Sequence, residues 1–383
     1  MAESTPMTPH KILRPPAEVT YADELAALRA NDDGPRPAGW NLSPKAVRTF
    51  IIGSDGRKLG YEIEGQKRTV EISRKFYGDD ALIDRCVVTL LGQRGLLLVG
   101  EPGTAKSMLS ELLAAAVSGD STLTIQGTAG TTDDQIKYSW NYALLLAEGP
   151  QPKALVPSPI YAGMKRGTVV RFEEVTRCQP EIQDTLVSIL SEKVLHVPEL
   201  SGDDGVVFGA RGFNLIATAN LRDRGVHEMS SALKRRFNFE TVHSIGDRAL
   251  ELRLVTEQTE KLLRDSDLQV SCPPDVMDLL VSTFHDLRTG RTDDGIVIEK
   301  PTTVMSTAEA VAVGYSAGLD AVYFGAGKME GAHVARQLAG TLVKDNPDDI
   351  KKIRHYFDAV VKPRAKSSKA WQSCWEARKH IGL

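Results

Sequence analysis

The sequence predicts an α/β protein in which strands alternate with helices, followed from about residue 246 by helices alone. Three observations predict it. Residues 95–107 (GLLLVGEPGTAKS) read as a buried strand, a glycine-punctuated loop and the first turn of a helix. Two later apolar runs, 168–172 and 213–217, read as buried strands that end on polar residues. The stretches 247–264, 274–288, 306–324, 330–343 and 347–361 carry helical patterning, separated by Pro, Gly and Asp.

Residues 100–107 have the spacing of a phosphate-binding loop, G-x-x-x-x-G-K-[ST], with Ala105 where the second glycine is usual. Such a loop turns backbone N–H groups inward around phosphates, so side chains must stay clear. Gly103 is the expected site of positive φ. Ala105 is expected at the helix start with negative φ. Lys106 would neutralise phosphate oxygens, and the Ser107 hydroxyl would ligate Mg²⁺. Glu101, Pro102, Thr104 and Met108 complete the expected nucleotide contacts. Leu109, Leu112, Leu113, Ala116 and Val117 would seat the following helix, whose dipole favours the same anion. A Gly/Pro turn followed by Lys-Ser would share these letters; the strand before and the amphipathic helix after favour the nucleotide.

The 383 residues are 42% hydrophobic and 25% charged, enough for a sizeable core without disulfides or metals. A net charge of −3 gives no global sign of nucleic-acid or anionic-membrane binding. Cys86, Cys178, Cys272 and Cys374 are far apart, which fits a reducing cytoplasm. No segment approaches the roughly 20 apolar residues of a membrane span. MAESTPMTPHK lacks the apolar stretch of a secretory signal.

Residues 1–74 read as an extension, partly flexible, with an amphipathic piece at 21–30 and a helix start at Ser43-Pro44. Ser54-Asp55-Gly56 reads as a hairpin turn between residues 50–52 and 59–63. Tyr77 and Gly78 precede the helix leading into the phosphate loop and are candidates for an adenine pocket; Tyr77 reads equally as core. Residues 122–125 suit a second strand, and 131–134 a helix cap. The strand at 168–172 runs straight into Glu173-Glu174. Downstream of a phosphate loop, the first acid would hold the Mg²⁺ water shell and the second would polarise the attacking water. Alone, they would read as two solvated acids. A hairpin is expected over 193–197 and 205–208. Asn220, ending the strand from 213, is placed to orient a lytic water; otherwise it is a turn residue. Lys234, Arg235 and Arg236 follow, either as a solvated face or with an arginine reaching a neighbouring subunit. Trp371 and Trp375 read as a stripe docking onto the chain itself.

Strand–loop–helix, strand-Glu-Glu, strand-Asn, basic triplet and helical tail, in that order, resemble an AAA+ ATPase. GEPGTAKS, FEEVTRCQPEIQDTLVSILSEKVL, FNLIATANLRDRG and SALKRRF narrow the resemblance to the MoxR family, over roughly residues 75–345. It implies an αβα nucleotide core with a parallel sheet at 75–245, a helical lid at 246–345 and a helical tail at 346–383. It also implies a ring, a hexamer, with ATP and Mg²⁺ at subunit interfaces. By position, Lys106 and Ser107 match Walker A, Glu173 and Glu174 Walker B, and Asn220 sensor 1. Arg236 matches the arginine finger, with Arg235 the alternative. Residues 127–148 match the helix-two insert and 194–208 the pre-sensor hairpin.

Two features depart from the family. Glu173 stands where Asp is usual, one methylene longer, which would displace its contact with Mg²⁺ or its water. Ser306-Thr307-Ala308 replaces a sensor-2 S-P-R stretch. The implied function is a cytoplasmic ATPase that remodels or matures a protein partner, of the von Willebrand factor A class. Two alternatives stand: a nucleic-acid motor of a McrB-like defence system, against which the lack of a basic stretch in 127–148 argues, and a slowly hydrolysing, nucleotide-gated scaffold.

Overall fold

The computed structural model describes residues 12–220, 225–302, 305–342, 346 and 348–382. The MAESTPMTPHK stretch, residues 221–224 of FNLIATANLRDRG, and Val343 and Pro347, where the sequence ends one helix and starts another, lie outside the described residues. The chain forms two units. One ends at Val242, the other begins at His243, and loop residues Pro102–Thr104 group with the second.

The first unit opens with α1 (Ala17–Thr20), α2 (Ala22–Ala30) and α3 (Pro44–Ile52), then the hairpin β1 (Lys58–Ile63) and β2 (Gln66–Glu71). Ser43 caps α3 and Pro44 opens it. Phe50-Ile51-Ile52, expected as a strand, is the last turn of this helix. Ala46, Val47, Phe50 and Ile51 are all buried, a helical repeat that outweighs the local β-branched run. The hairpin turn is therefore at Glu64-Gly65, not Ser54–Gly56.

The α/β core follows: α4 (Asp80–Leu91), β3 (Gly95–Val99), α5 (Lys106–Ser118), β4 (Thr124–Gln126), α6 (Asp133–Ile136), β5 (Tyr138–Trp140), α7 (Tyr142–Glu148), β6 (Leu155–Pro157), α8 (Pro159–Arg166) and β7 (Val169–Glu173). Then come α9 (Pro180–Glu192), β8 (Val194–His196), β9 (Val206–Phe208), β10 (Asn214–Ala219), α10 (Ser231–Lys234) and β11 (Phe237–Thr241). Five strands form one parallel sheet in the order β11-β3-β10-β7-β4. The strand β11 is not among the strands expected from the sequence.

Alternation along β3 shows why helices cover both faces. Leu96 and Leu98 pack with Leu109, Leu112 and Leu113 of α5; Leu97 and Val99 pack with Leu186, Ile189 and Leu190 of α9. The extension also belongs to this core. Leu25, Leu28, Val47, Phe50 and Ile51 share one buried cluster with Ile83, Cys86 and the α5 leucines. Polar contacts fix it: Ser121 donates to Glu18, and the Ala17 N–H to Glu111, 3.1 Å. Lys75 Nζ donates to Glu24, Phe50 O and Ser73 O. The helices of residues 12–74 thus supply one wall of the α/β core.

The second unit is helical: α11 (Arg248–Asp265), α12 (Pro274–Thr289), α13 (Thr307–Tyr323), α14 (Gly331–Leu342), α15 (Asp348–Tyr356), a π-helical turn at Phe357–Val361, α16 (Lys362–Arg364) and α17 (Lys369–Glu376). These follow the helical patterns read from sequence. Trp371 is buried in this unit's core and Trp375 packs against it.

Candidate functional site

The carboxyl ends of β3, β7 and β10 lie side by side, as register pairs Ala219 with Val99 and Ala217 with Phe172. In open parallel sheets this edge is where ligands bind. The loop after β3 carries Gly103 at φ +75°, as expected of a residue clearing space for backbone N–H groups. Ala105 differs from expectation. It lies in the left-handed region at φ +66°, ψ 22°, as the N-cap of α5. In a non-glycine residue this conformation costs about 1–2 kcal/mol.

Lys106 is buried at the helix start. Its Nζ donates to the Gly100 and Glu101 carbonyls at 2.9 and 2.7 Å. Burial lowers its pKa, opposed by the fields of Glu174, Glu173 and Glu101. Ser107 Oγ donates to Glu173 Oε2 at 2.7 Å. Glu101, Pro102, Gly103, Ser107 and Met108 are exposed, and Thr104 is buried.

Glu173 ends β7, buried, and all its acceptor capacity is used. Ser110 Oγ (2.6 Å) and Arg171 Nη2 (2.8 Å) donate to Oε1; Ser107 Oγ and Thr218 Oγ1 (2.8 Å) donate to Oε2. Burial would raise its pKa. The hydrogen bonds from Ser110 and Ser107, the Arg171 charge and Thr218 outweigh it and hold the carboxyl below its usual range. The extra methylene leaves Glu173 in direct contact with the Ser107 hydroxyl.

Glu174 follows with φ +56°, ψ 44°. In continuous strand the two acids would point to opposite faces; the left-handed residue breaks that alternation. The kink is held by the Glu174 N–H donating to Thr218 Oγ1 at 3.0 Å. Gly127 must be glycine beside it, since a Cβ there would stand 2.4 Å from the Glu174 carbonyl oxygen. Glu174 Oε2 is buried and accepts no hydrogen bond among the described residues; Arg177 Nε is 3.5 Å away. It is an acceptor held ready for a donor such as water.

Asn220 is buried at the end of β10. Tyr77 is half-buried beneath the Arg74 guanidinium, 5.9 Å from its ring centre, and Gly78 is exposed. Arg236 lies at the other end of the sheet. Its carbonyl accepts from the Gly95 N–H, level with the start of β3, so about 16 Å of strand separates it from Gly100. Its Nε donates to Ser191 Oγ (2.8 Å) and Nη1 to Ala232 O (2.9 Å). It therefore serves no phosphate held by its own loop.

Sequence reasoning missed Arg171, Ser110 and Thr218. Signals existed: Arg171 interrupts an apolar strand, and Ser110 is one helical turn from Ser107, on the same face. With its four acceptor sites filled, Glu173 does not offer the free oxygen expected for the Mg²⁺ water shell; the Ser107 hydroxyl, which donates to it, keeps lone pairs for magnesium, an ion that takes few protein oxygens and keeps waters. Lys106, now on loop carbonyls, and the Glu174 oxygen, ion-paired with Arg177 but accepting no hydrogen bond among the described residues, suit a phosphate and a water.

Residues 95–237 match the family described as AAA domain (dynein-related subfamily), and residues 249–382 that described as YehL-like AAA+ ATPase C-terminal domain. The chain is 49% identical over 368 residues to YehL of Escherichia coli (strain K12), covering 96% of this chain and 97% of that one. A protein of Staphylococcus aureus (strain NCTC 8325 / PS 47) is 28% identical over 196 residues, 51% of this chain and 69% of its own. Among solved structures, NtrX from Brucella abortus aligns with TM-score 0.47 and 11% identity, over 80% of this chain and 64% of that one, too distant a likeness to carry weight. The chain belongs to the YehL-like family of AAA+ ATPases.

Proposed function

We propose that the protein binds Mg·ATP on the 100–107 loop and hydrolyses it, in a ring of MoxR type, to remodel or mature a protein partner. The observation that carries this reading is the convergence of Lys106, Ser107, Glu173 and Glu174 at one sheet edge. Lys106 would exchange loop carbonyls for phosphate oxygens. Ser107 donates its hydroxyl hydrogen bond to Glu173 and keeps its lone pairs for a cation. Ser107, oriented by Glu173, would hold magnesium, which would supply neutralisation of the charge on the phosphates. Glu174 would accept a proton from the attacking water as its oxygen bonds to the terminal phosphorus and the bond to the ADP oxygen breaks. Asn220 would orient that water.

Arg236 supports the ring. Remote from its own loop, it can meet a nucleotide only on another subunit. Ring size, hexameric by the resemblance, and a partner with a von Willebrand factor A domain remain parts of this proposal. A cytoplasmic setting fits the four free cysteines, and no described helix is long and apolar enough to cross a membrane.

The test is phosphate release and ATP binding by purified protein and its Glu174→Gln variant. The expected result is Mg²⁺-dependent turnover in the wild type, with binding kept and turnover lost in the variant. Equal turnover by both would refute the role of Glu174. Tight binding without turnover in either would favour the scaffold.

A further inference from the structure

The Arg171–Ser110 pair has no part in the usual reading of this loop-and-acid site, yet it joins the strand that carries the acids to the helix that carries Lys106 and Ser107. Arg171 sits two residues before Glu173 on β7, hence on the same sheet face. It is buried in an otherwise apolar strand. Its Nη2 donates to Glu173 Oε1 (2.8 Å) and to the Ser107 carbonyl (3.0 Å), and its Nε to Ser110 Oγ (3.0 Å). Nη1 donates to Ser121 O (3.2 Å) and Thr124 Oγ1 (3.4 Å). One guanidinium thus ties β7 to the first turn of α5, the loop beyond α5 and β4. Ser110 relays: it accepts from Arg171 and donates to Glu173 Oε1 at 2.6 Å.

We propose that Arg171, with Ser110, is a positioning residue matched to the long acid at 173. An aspartate at a strand end has one fewer rotatable bond to fix. A glutamate gains reach but must be held. Arg171 and Ser110 hold Oε1, which aims Oε2 at Ser107 and Thr218. The Oε2 bond takes the Ser107 hydroxyl proton, so the lone pairs of that hydroxyl face the cation position. Arg171 thereby sets metal affinity without touching the metal. Its planar fork is what lets one side chain meet acid, hydroxyl and carbonyls together. The inference rests on the proposed Mg·ATP site.

The experiment measures nucleotide affinity with and without Mg²⁺, using a fluorescent ATP analogue, in the wild type, Arg171→Met, Arg171→Lys, Ser110→Ala, Glu173→Asp and the Arg171→Met/Glu173→Asp double variant. Groups that orient a metal ligand typically alter metal affinity about 10–100-fold. We expect Arg171→Met to raise the Mg²⁺ concentration for half-maximal tightening by about 10-fold or more. Metal-free affinity should change far less. Arg171→Lys should fail to restore the wild-type value, since the fork is lost. Ser110→Ala should shift the same Mg²⁺ curve in the same direction, and it decides the matter if the arginine variants do not fold. The Glu173→Asp loss should be smaller in the Arg171→Met background than in the wild type, because the clamp has then nothing to match.

An unchanged Mg²⁺ dependence in Arg171→Met or Ser110→Ala would overturn the inference. So would equal weakening with and without metal, the signature of a structural role. If the wild type binds no nucleotide under either condition, the proposed function fails first.

Discussion

Glu173 and Asp286 are both buried carboxylates set against an arginine and hydroxyls, and their surroundings push them in opposite directions. Glu173 is charged more readily than a free carboxyl because four donors reach it. Asp286, on α12 in the helical unit, is pushed up by burial, against the charge of Arg364 and a hydrogen bond from Tyr356. Its contacts are longer: Tyr356 Oη at 3.2 Å and Arg364 Nη1 at 3.3 Å. Arg364 is shared with Asp294 and lies over the Trp371 ring. One cluster holds a formal charge next to Glu174, whose Oε2 faces Arg177 and accepts no hydrogen bond among the described residues. The other uses a charge pair to knit α12, the end of α15 and α16 together. Similar residue types thus stand at the proposed ligand edge in one unit and in packing in the other. Each oxygen of Glu173 takes two donors, whereas the two donors of Asp286 share Oδ2.

The largest expected effect lies on the ligand side. Arg236→Ala should lower turnover about 10³–10⁵-fold, as loss of an arginine finger does, with ATP affinity kept. Loss of ATP binding would instead mean the arginine is misassigned. Glu174→Gln should lower turnover about 10²–10⁴-fold, the usual scale for a general base. Asp286→Asn should leave turnover per folded molecule unchanged; a large loss would erase the distinction between the clusters.

The pH dependence sharpens the contrast. The Glu173 pKa is depressed in the folded state, so its stabilisation is present above its unfolded value and is lost as pH falls through the folded one. The Asp286 pKa is raised, so its contribution is full below its unfolded value and is lost as pH rises through the folded one. The stability difference between wild type and Glu173→Gln should therefore grow with rising pH. The difference between wild type and Asp286→Asn should shrink. Denaturant unfolding of the three proteins across the acid range checks both slopes, and slopes of the same sign would break the comparison.

The smallest effect concerns the loop itself. Ala105→Gly should stabilise the fold by about 0.5–1 kcal/mol, since glycine adopts the left-handed conformation that alanine resists. A destabilisation would mean that the Ala105 methyl group contributes packing that outweighs its backbone cost.

What was legible in the sequence was what local spacing encodes. The loop at 100–107 and the paired acids are short contiguous motifs, and the α9 face of Leu186, Ile189 and Leu190 and the helices of the second unit repeat with helical period. Illegible were features set by tertiary contact. Phe50-Ile51-Ile52 is equally apolar as strand or helix, and only burial of Ala46 and Val47 on the same side decides it. The left-handed turn at Ala105 comes from how the loop meets α5, not from alanine's preference. Arg171 and Ser110 are 61 residues apart and meet only when β7 lies beside α5. The extension reads as peripheral because its partners, Ile83, Cys86 and the α5 leucines, lie far along the chain.

The most direct measurement of the central claim is calorimetric titration of Mg·ATP into the wild type and Lys106→Ala. Saturable binding by the wild type, lost in the variant while its fold is retained, is the predicted result. Absence of binding by the wild type at saturating Mg·ATP, or equal binding by both proteins, would contradict it.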